Sequence, residues 1–244
     1  VNLDSLSEEQ VMQAVGQLKE ELQNSINEFK TAYAQKKVDN EDYVSFLKKY
    51  SDYLIIEKPS TWDNLSFMVE YQFGYMYGRY LLWNFVGKQN DVQGRYDNLD
   101  GNWISGIDFV DEIHLGKGTQ TNLTEDIKNN KGRNVYYFLP FLIGLIGLLY
   151  HAQKDLKSFY VLLVLFLFTS FALKIFLNER PFEPRERDYA LVGSFYVFAI
   201  WIGFGVYAIY EIVAGYIKSK LVGPIVIAAC LIASPILMAT QNWD

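Results

Sequence analysis

The chain has one cysteine, two histidines and six prolines in 244 residues, and each scarcity removes a class of chemistry. A lone Cys230 cannot close a disulfide within the chain, and inside an apolar stretch a thiol behaves as a small hydrophobe. His114 and His151 are the only imidazoles, too few for a zinc constellation. Basic charge is short as well: 22 Lys and Arg stand against 28 Asp and Glu. Residues 1–133 hold 21 acidic and 14 basic side chains, a net of −7, whereas residues 134–244 carry a net of +1. An acidic polar half lacks the basic footprint that nucleic acid needs, so no such partner is expected. Gly116-Lys-Gly-Thr119 lacks the glycine spacing of a phosphate loop. Asp97-Asn-Leu-Asp-Gly-Asn102 lacks the distal acid of a calcium loop and reads as a turn. No metal-ligating residues are assigned.

Hydrophobic length is what the chain does have, although a mean hydropathy near zero hides it. Four long apolar stretches cover residues 135–150, 159–177, 189–217 and 221–240. A hydrocarbon core about 30 Å thick calls for about 20 apolar residues in a helix. Within lipid the backbone must satisfy its own hydrogen bonds, which selects helices over loose strands. The expected fold is all-α: a polytopic bundle of four transmembrane helices over 134–244, preceded by an external helical region.

That external region divides in two. Val11, Val15, Leu18, Leu22, Ile26 and Phe29 recur at steps of three and four after an Asp-Ser-Leu-Ser-Glu-Glu start. Val38-Asp39-Asn40 breaks the pattern, and Glu41–Tyr53 makes a second amphipathic run, so 1–57 reads as a soluble helical hairpin. Residues 58–133 follow. Segment 64–87 carries eight aromatic side chains together with Glu70, Arg79, Gly74 and Gly78. Charges among Tyr and Trp suit the headgroup zone, so an amphipathic interfacial helix is expected over 64–87 rather than a span. Glu70 and Arg79, nine apart on an α-helix, lie on different faces and each needs its own partner. Residues 90–132 form a polar, glycine-rich connection of the length that is often functional.

Orientation follows from the short loops. Lys154, Lys157, Lys218 and Lys220 fall on one side, which the positive-inside rule makes cytoplasmic. Residues 1–133 and 178–188 then face outward, toward the periplasm if the membrane is a bacterial inner membrane. The loop Asn178-Glu-Arg-Pro-Phe-Glu-Pro-Arg-Glu-Arg-Asp188 is the densest charge cluster of the apolar half. Its arginines have the planar fork that suits phosphate or carboxylate, and Pro181 and Pro184 stiffen it. A solvated turn of mutually paired charges is the plain alternative. Lys174 and Glu211, near span ends, are expected to snorkel. Gly144, Gly147, Gly203 and Gly205 are expected to let helices approach closely. Pro140, Pro224 and Pro235 read as local kinks. The ends at Val1 and Asp244 read as cuts, making the chain an internal piece of a longer protein.

Several stretches are read together: Tyr71-Gln-Phe-Gly-Tyr-Met-Tyr-Gly-Arg-Tyr80, Leu82-Trp-Asn-Phe-Val-Gly-Lys-Gln-Asn-Asp91, Gly101-Asn-Trp-Ile-Ser-Gly106, Asn129-Asn-Lys-Gly-Arg-Asn134 with Tyr137-Phe-Leu-Pro140, and Pro184-Arg-Glu-Arg-Asp-Tyr189. With Gly193-Ser-Phe-Tyr196 and Ala199-Ile-Trp-Ile-Gly203, they resemble a family of bacterial multi-span membrane proteins related to protein O-mannosyltransferases, of the GT-C glycosyltransferase class. The resemblance covers roughly residues 58–244. It implies an integral membrane enzyme that takes a sugar from a polyprenyl-phosphate carrier and passes it to protein or glycan on the non-cytoplasmic face. The acid expected of such enzymes lies in an early external loop without a counterpart here, so no catalytic residue is assigned. The resemblance and the residues together suggest a lipid-phosphate site. In it Arg185 and Arg187 clamp the phosphate, Glu186 and Asp188 orient them, and Arg79, Trp83, Asn90 and Asp91 line the approach. The competing expectation is a non-catalytic scaffold or assembly subunit. A transporter is disfavoured, because the spans hold almost no ionisable residue at mid-membrane.

Overall fold

The computed structural model describes residues 8–35, 37–53, 58–94, 96–118, 120–121, 123–179 and 188–243. The arginine-rich stretch 180–187, with Arg185, Glu186 and Arg187, lies outside them, and Asp188 is described by its backbone alone. The chain is mostly helical and divides into two compact units, Val1–Leu54 and Ile55–Asp244.

The first unit is a helical hairpin of α1 (Glu8–Ala34) and α2 (Asn40–Tyr50). Asp39 opens α2 by accepting the Asp42 N–H at 2.8 Å, and the Asp42 carboxylate accepts the Asp39 N–H in return. Two free amides at the helix start are thereby satisfied. Phe29 of α1 stacks on Phe46 of α2 at 4.1 Å, and the Tyr50 hydroxyl donates to Ser25 Oγ at 3.1 Å. α2 is much the shorter helix, and Met12, Val15 and Leu18 remain exposed.

The second unit begins with α3, a continuous helix in three parts: Thr61–Ser66, a π-wound middle Phe67–Gly78, and Arg79–Phe85. The Arg79 N–H reaches back to the Gly74 carbonyl, five residues earlier, which is the π pattern. A strand pair β1 (Gly87–Lys88) and β2 (Asn134–Val135) frames a cap containing α4 (Asp108–Leu115) and the single turn α5 (Glu125–Lys128). Four helices follow: α6 (Leu139–Lys154), α7 (Leu156–Leu177), α8 (Asp188–Tyr216) and α9 (Val222–Asn242).

Helices α7, α8 and α9 are long and apolar enough to cross a membrane, with 22 residues in α7 and 21 in α9. These three mark the chain as a membrane protein. α6 differs from expectation. It has 16 residues and starts at Leu139, because Tyr137 and Phe138 before it take left-handed backbone angles, φ 53° and 60°. Hydropathy counts those two rings as span, whereas their backbone turns the chain out of the strand pair into the helix. Pro140 and Pro224 occupy first turns, where a missing N–H costs little, so neither kinks a span. Pro235 sits in a π-wound turn of α9.

The bundle core is aromatic. Phe85, Val197, Phe198 and Trp201 form one buried cluster, and Tyr77, Tyr80, Trp83 and Leu191 another. α3 is thus packed into the bundle: Phe73 and Tyr77 meet Phe171 edge-on, and Tyr80 meets Phe195 at 5.2 Å. α6 and α8 approach through glycine. A Cβ on Gly147 would fall 1.7 Å from the Trp201 carbonyl oxygen, and one on Gly205 would fall 2.0 Å from that of Ile143. Gly144 faces the Phe198 ring, but Gly203 has nothing within 4 Å and plays no such part. Lys174 does not snorkel either. Its ammonium is buried and paired with Glu179 at 2.9 Å. Glu211 instead reaches Lys154 across the end of the bundle, also at 2.9 Å.

Candidate functional site at the junction of cap and bundle

The cap is built by backbone pairing and then filled with polar side chains. Gly87 pairs with Val135 and Lys88 with Asn134, while Trp103 bridges to Lys88 from the other side. Gly87 has φ 146°, and a Cβ there would lie 2.6 Å from two carbonyl oxygens, so only glycine fits this crossing. Asn102 is buried, with its amide donating to Gln89 Oε1 and to the carbonyls of Asp97 and Asp100. Asp97 accepts the amides of Leu99 and Asp100, giving the turn that its sequence suggested. The Asp111 carboxylate, at the start of α4, accepts from Ser105 N–H, Ser105 Oγ and Gly106 N–H at 2.7–3.0 Å. Arg133 donates to Gln89 O and to Gln120 Oε1. Burial pulls the Arg133 guanidinium below its ordinary pKa, with the Asp111 charge opposing the shift.

Between this cap and the bundle lies a cleft of about 400 Å³, lined by Tyr80, Trp83, Asn84, Lys88, Asn134 and Tyr136, with Met238 and Asn242 from α9. Trp83 is 7 % exposed, and its indole N–H is buried without a hydrogen-bond partner. Such a donor is costly to leave unmade and is rare in folded proteins. The Lys88 ammonium sits 4.5 Å from the centre of the same ring. Asn242 ties the two parts together: its amide nitrogen donates to the Tyr136 hydroxyl at 2.7 Å, and its oxygen accepts from Asn134 at 3.0 Å. Burial raises the Tyr136 phenol above its ordinary pKa, and the Asn242 bond opposes this. Asn84 donates back to the Tyr80 carbonyl at 2.8 Å.

Of the residues singled out in the sequence, Trp83 lines this cleft. Arg79 lies beside it but is 4 % exposed. Its guanidinium donates to the Tyr75 and Gly101 carbonyls and lies 4.6 Å from the Tyr75 and Trp83 ring centres. Arg79 therefore fastens the cap to α3 and backs Trp83. Asn90 is buried in the cap, donating to Asp100 and accepting from the Gly101 and Val92 amides. Asp91 is exposed and accepts from Asn130. Neither lines the cleft, and Gly132 comes between it and Asp91. Glu70 is exposed.

Sequence reading missed Asn84, Lys88, Asn134, Tyr136 and Asn242 as partners of Trp83. Asn84 carried a usable signal, since an amide between aromatic residues in an apolar helix needs a polar reason. Among the described residues lining the cleft there is no Asp, Glu or His, and no group of three such side chains or cysteines is placed to hold a metal. The cleft is walled by aromatic side chains, an ammonium and three amides, with the Trp83 N–H buried in its wall. Chemically it is a surface for binding a polar, hydroxylated or anionic group. No family model, curated protein or solved structure matches the chain.

Proposed function

We propose that this protein is the part of an integral membrane glycosyltransferase that holds a polyprenyl-phosphate-linked sugar, at the cleft between cap and bundle. The observation that carries the reading is the buried, unpaired Trp83 indole N–H in the wall of a cleft that also holds three amides, an ammonium and two tyrosines. Indole faces and amide pairs suit a hydroxylated ring, and a lysine beside them suits a phosphate. The motif resemblance to the O-mannosyltransferase-related family supports the same reading. In it α6 completes a four-helix membrane bundle with α7, α8 and α9, and α3 runs at the headgroup level of the outer leaflet. The cap faces the periplasm of a bacterial inner membrane, on the side opposite the lysine-bearing loops. Arg185 and Arg187 reach the carrier phosphate from the loop between α7 and α8, with Glu186 and Asp188 holding them. The acceptor is a protein or glycan. A non-catalytic scaffold is the second reading, favoured by the lack of any acid or histidine among the described lining residues.

Calorimetric titration of the detergent-solubilised chain with a polyprenyl-phosphate hexose, and separately with bare polyprenyl phosphate, tests this. Saturable binding of the first, weakened about tenfold by Trp83→Phe, is expected; tenfold is about 1.4 kcal/mol. Arg185→Gln with Arg187→Gln weakens both ligands. Equal affinity of wild type and Trp83→Phe for the sugar-bearing lipid would sink the reading. Binding without sugar transfer by the complete protein would select the scaffold.

A further inference from the structure

The opposite end of the bundle carries a second surface that none of the above uses. One face of α8, Ile200, Gly203, Phe204 and Tyr207, meets Tyr150 and Lys154 of α6 around an open, largely apolar groove of about 540 Å³. The two helices touch through Gly147 and Gly205, yet Gly203 between them in sequence looks onto open space. A helical glycine with no packing partner is destabilising relative to alanine. Here its effect is to keep the groove floor low. Tyr150 and Tyr207 stand edge to face at 5.8 Å as its wall, and the Lys154–Glu211 bridge closes its end.

We infer that this groove seats one acyl chain of an anionic phospholipid, with the headgroup at Lys154. The lipid is favoured by charge. Lys154, Lys157, Lys218 and Lys220 gather at this end of the bundle against two acids, Asp155 and Glu211. Asp155 is engaged as the cap of α7, accepting from Lys157 N–H, Ser158 N–H and Ser158 Oγ. Glu211 is engaged by Lys154, whose side chain is still 56 % exposed and can turn to a phosphate. The surplus is positive, and lysines beside an apolar helix surface attract anionic headgroups. Tyrosines at that depth belong to the interface belt.

Native mass spectrometry of the detergent-purified chain, titrated with phosphatidylglycerol or phosphatidylcholine of matched chains, tests the assignment. One phosphatidylglycerol adduct is expected at a concentration at least tenfold below that needed for phosphatidylcholine. Lys154→Gln removes the preference while keeping adducts. Gly203→Phe, which fills the groove, removes the adduct at unchanged near-ultraviolet circular dichroism, and Gly203→Leu is the milder second variant. Equal retention of both lipids, or full retention in Gly203→Phe, overturns it. So does unfolding of both glycine variants, because the space would then not be open. A wild-type dimer that Gly203→Phe dissociates would assign the groove to a second copy of the chain instead.

Discussion

Lys174 of α7 and Glu179 just beyond it form an ion pair 2.9 Å long, with their side chains 1 % and 4 % exposed. A buried pair gains little over an apolar replacement, but losing one member strands a charge. Glu179→Leu, which leaves the buried Lys174 ammonium without this carboxylate, is therefore expected to cost about 3–5 kcal/mol. Lys174→Met combined with Glu179→Leu should recover a substantial part of that loss. Thermal unfolding in detergent, followed by circular dichroism, checks both. Equal midpoints for the single and double variants would show that the stranded ammonium is not the cause.

Gly147 of α6 and Gly203 of α8 differ sharply in what surrounds them. Gly147→Ala drives a methyl group into the Trp201 carbonyl, and neither backbone can yield without parting the helices. A loss at the upper end of the overpacking range, about 3 kcal/mol, is expected. Gly203→Ala meets open space and should raise stability by up to about 1 kcal/mol through helix propensity. The two unfolding midpoints, measured side by side, must move in opposite directions.

Hydrophobic length made the three long helices legible: the apolar stretches 159–177, 189–217 and 221–240 correspond to Leu156–Leu177, Tyr189–Tyr216 and Val222–Asn242. Other features lay outside what pattern can register. The start of α6 was misplaced because Tyr137 and Phe138 are apolar by side chain and left-handed by backbone. The π-wound middle of α3 packs against α7, and helical periodicity encodes neither the winding nor the contact. Lys174 was expected to snorkel because it lies near a span end, and its pairing with Glu179 in the loop that follows leaves no mark on hydropathy. Trp83 could be singled out, yet its neighbours come from residues 80–88, 132–136 and 238–242. A single sequence contains no signal that brings those three segments together.

Asp155 carries a pH prediction. Its carboxylate accepts from the Ser158 hydroxyl and from the Ser158 and Lys157 amides, and those bonds hold its pKa below the usual carboxylate value. A group whose folded pKa is depressed stabilises the fold above its unfolded pKa, and that contribution fades as pH falls through the folded value. Asp155→Asn should thus lower the unfolding midpoint at pH 7. The gap from wild type should close in acid, below about pH 4. Ser158→Ala should show the same closing gap, since the hydroxyl is the chief cause of the shift. It also removes the 2.8 Å contact between Ser158 Oγ and His151 Nε2. A gap independent of pH would mean that the carboxylate charge contributes nothing at this helix start.

Asn242 is the only described side chain hydrogen-bonding α9 to the entry into α6, through Asn134 and Tyr136. Those partners sit in and just after β2, so the same bonds fix one wall of the cleft. Asn242→Ala deletes these two hydrogen bonds, worth about 1 kcal/mol each, together with the amide's bond to the Met238 carbonyl, and leaves the Asn134 amide and the Tyr136 hydroxyl seeking water. The helices of the bundle keep their own contacts, so the loss should be local. Hydrogen exchange is expected to accelerate several-fold at residues 134–137 and 87–89, while α8 amides stay protected. Asn242→Asp keeps both contacts by reversing one of them. A carboxylate still accepts from Asn134 Nδ2 and can accept from the Tyr136 hydroxyl, so β2 and the tyrosine should remain protected. Protection lost equally in both variants would place the anchor elsewhere than in these two bonds.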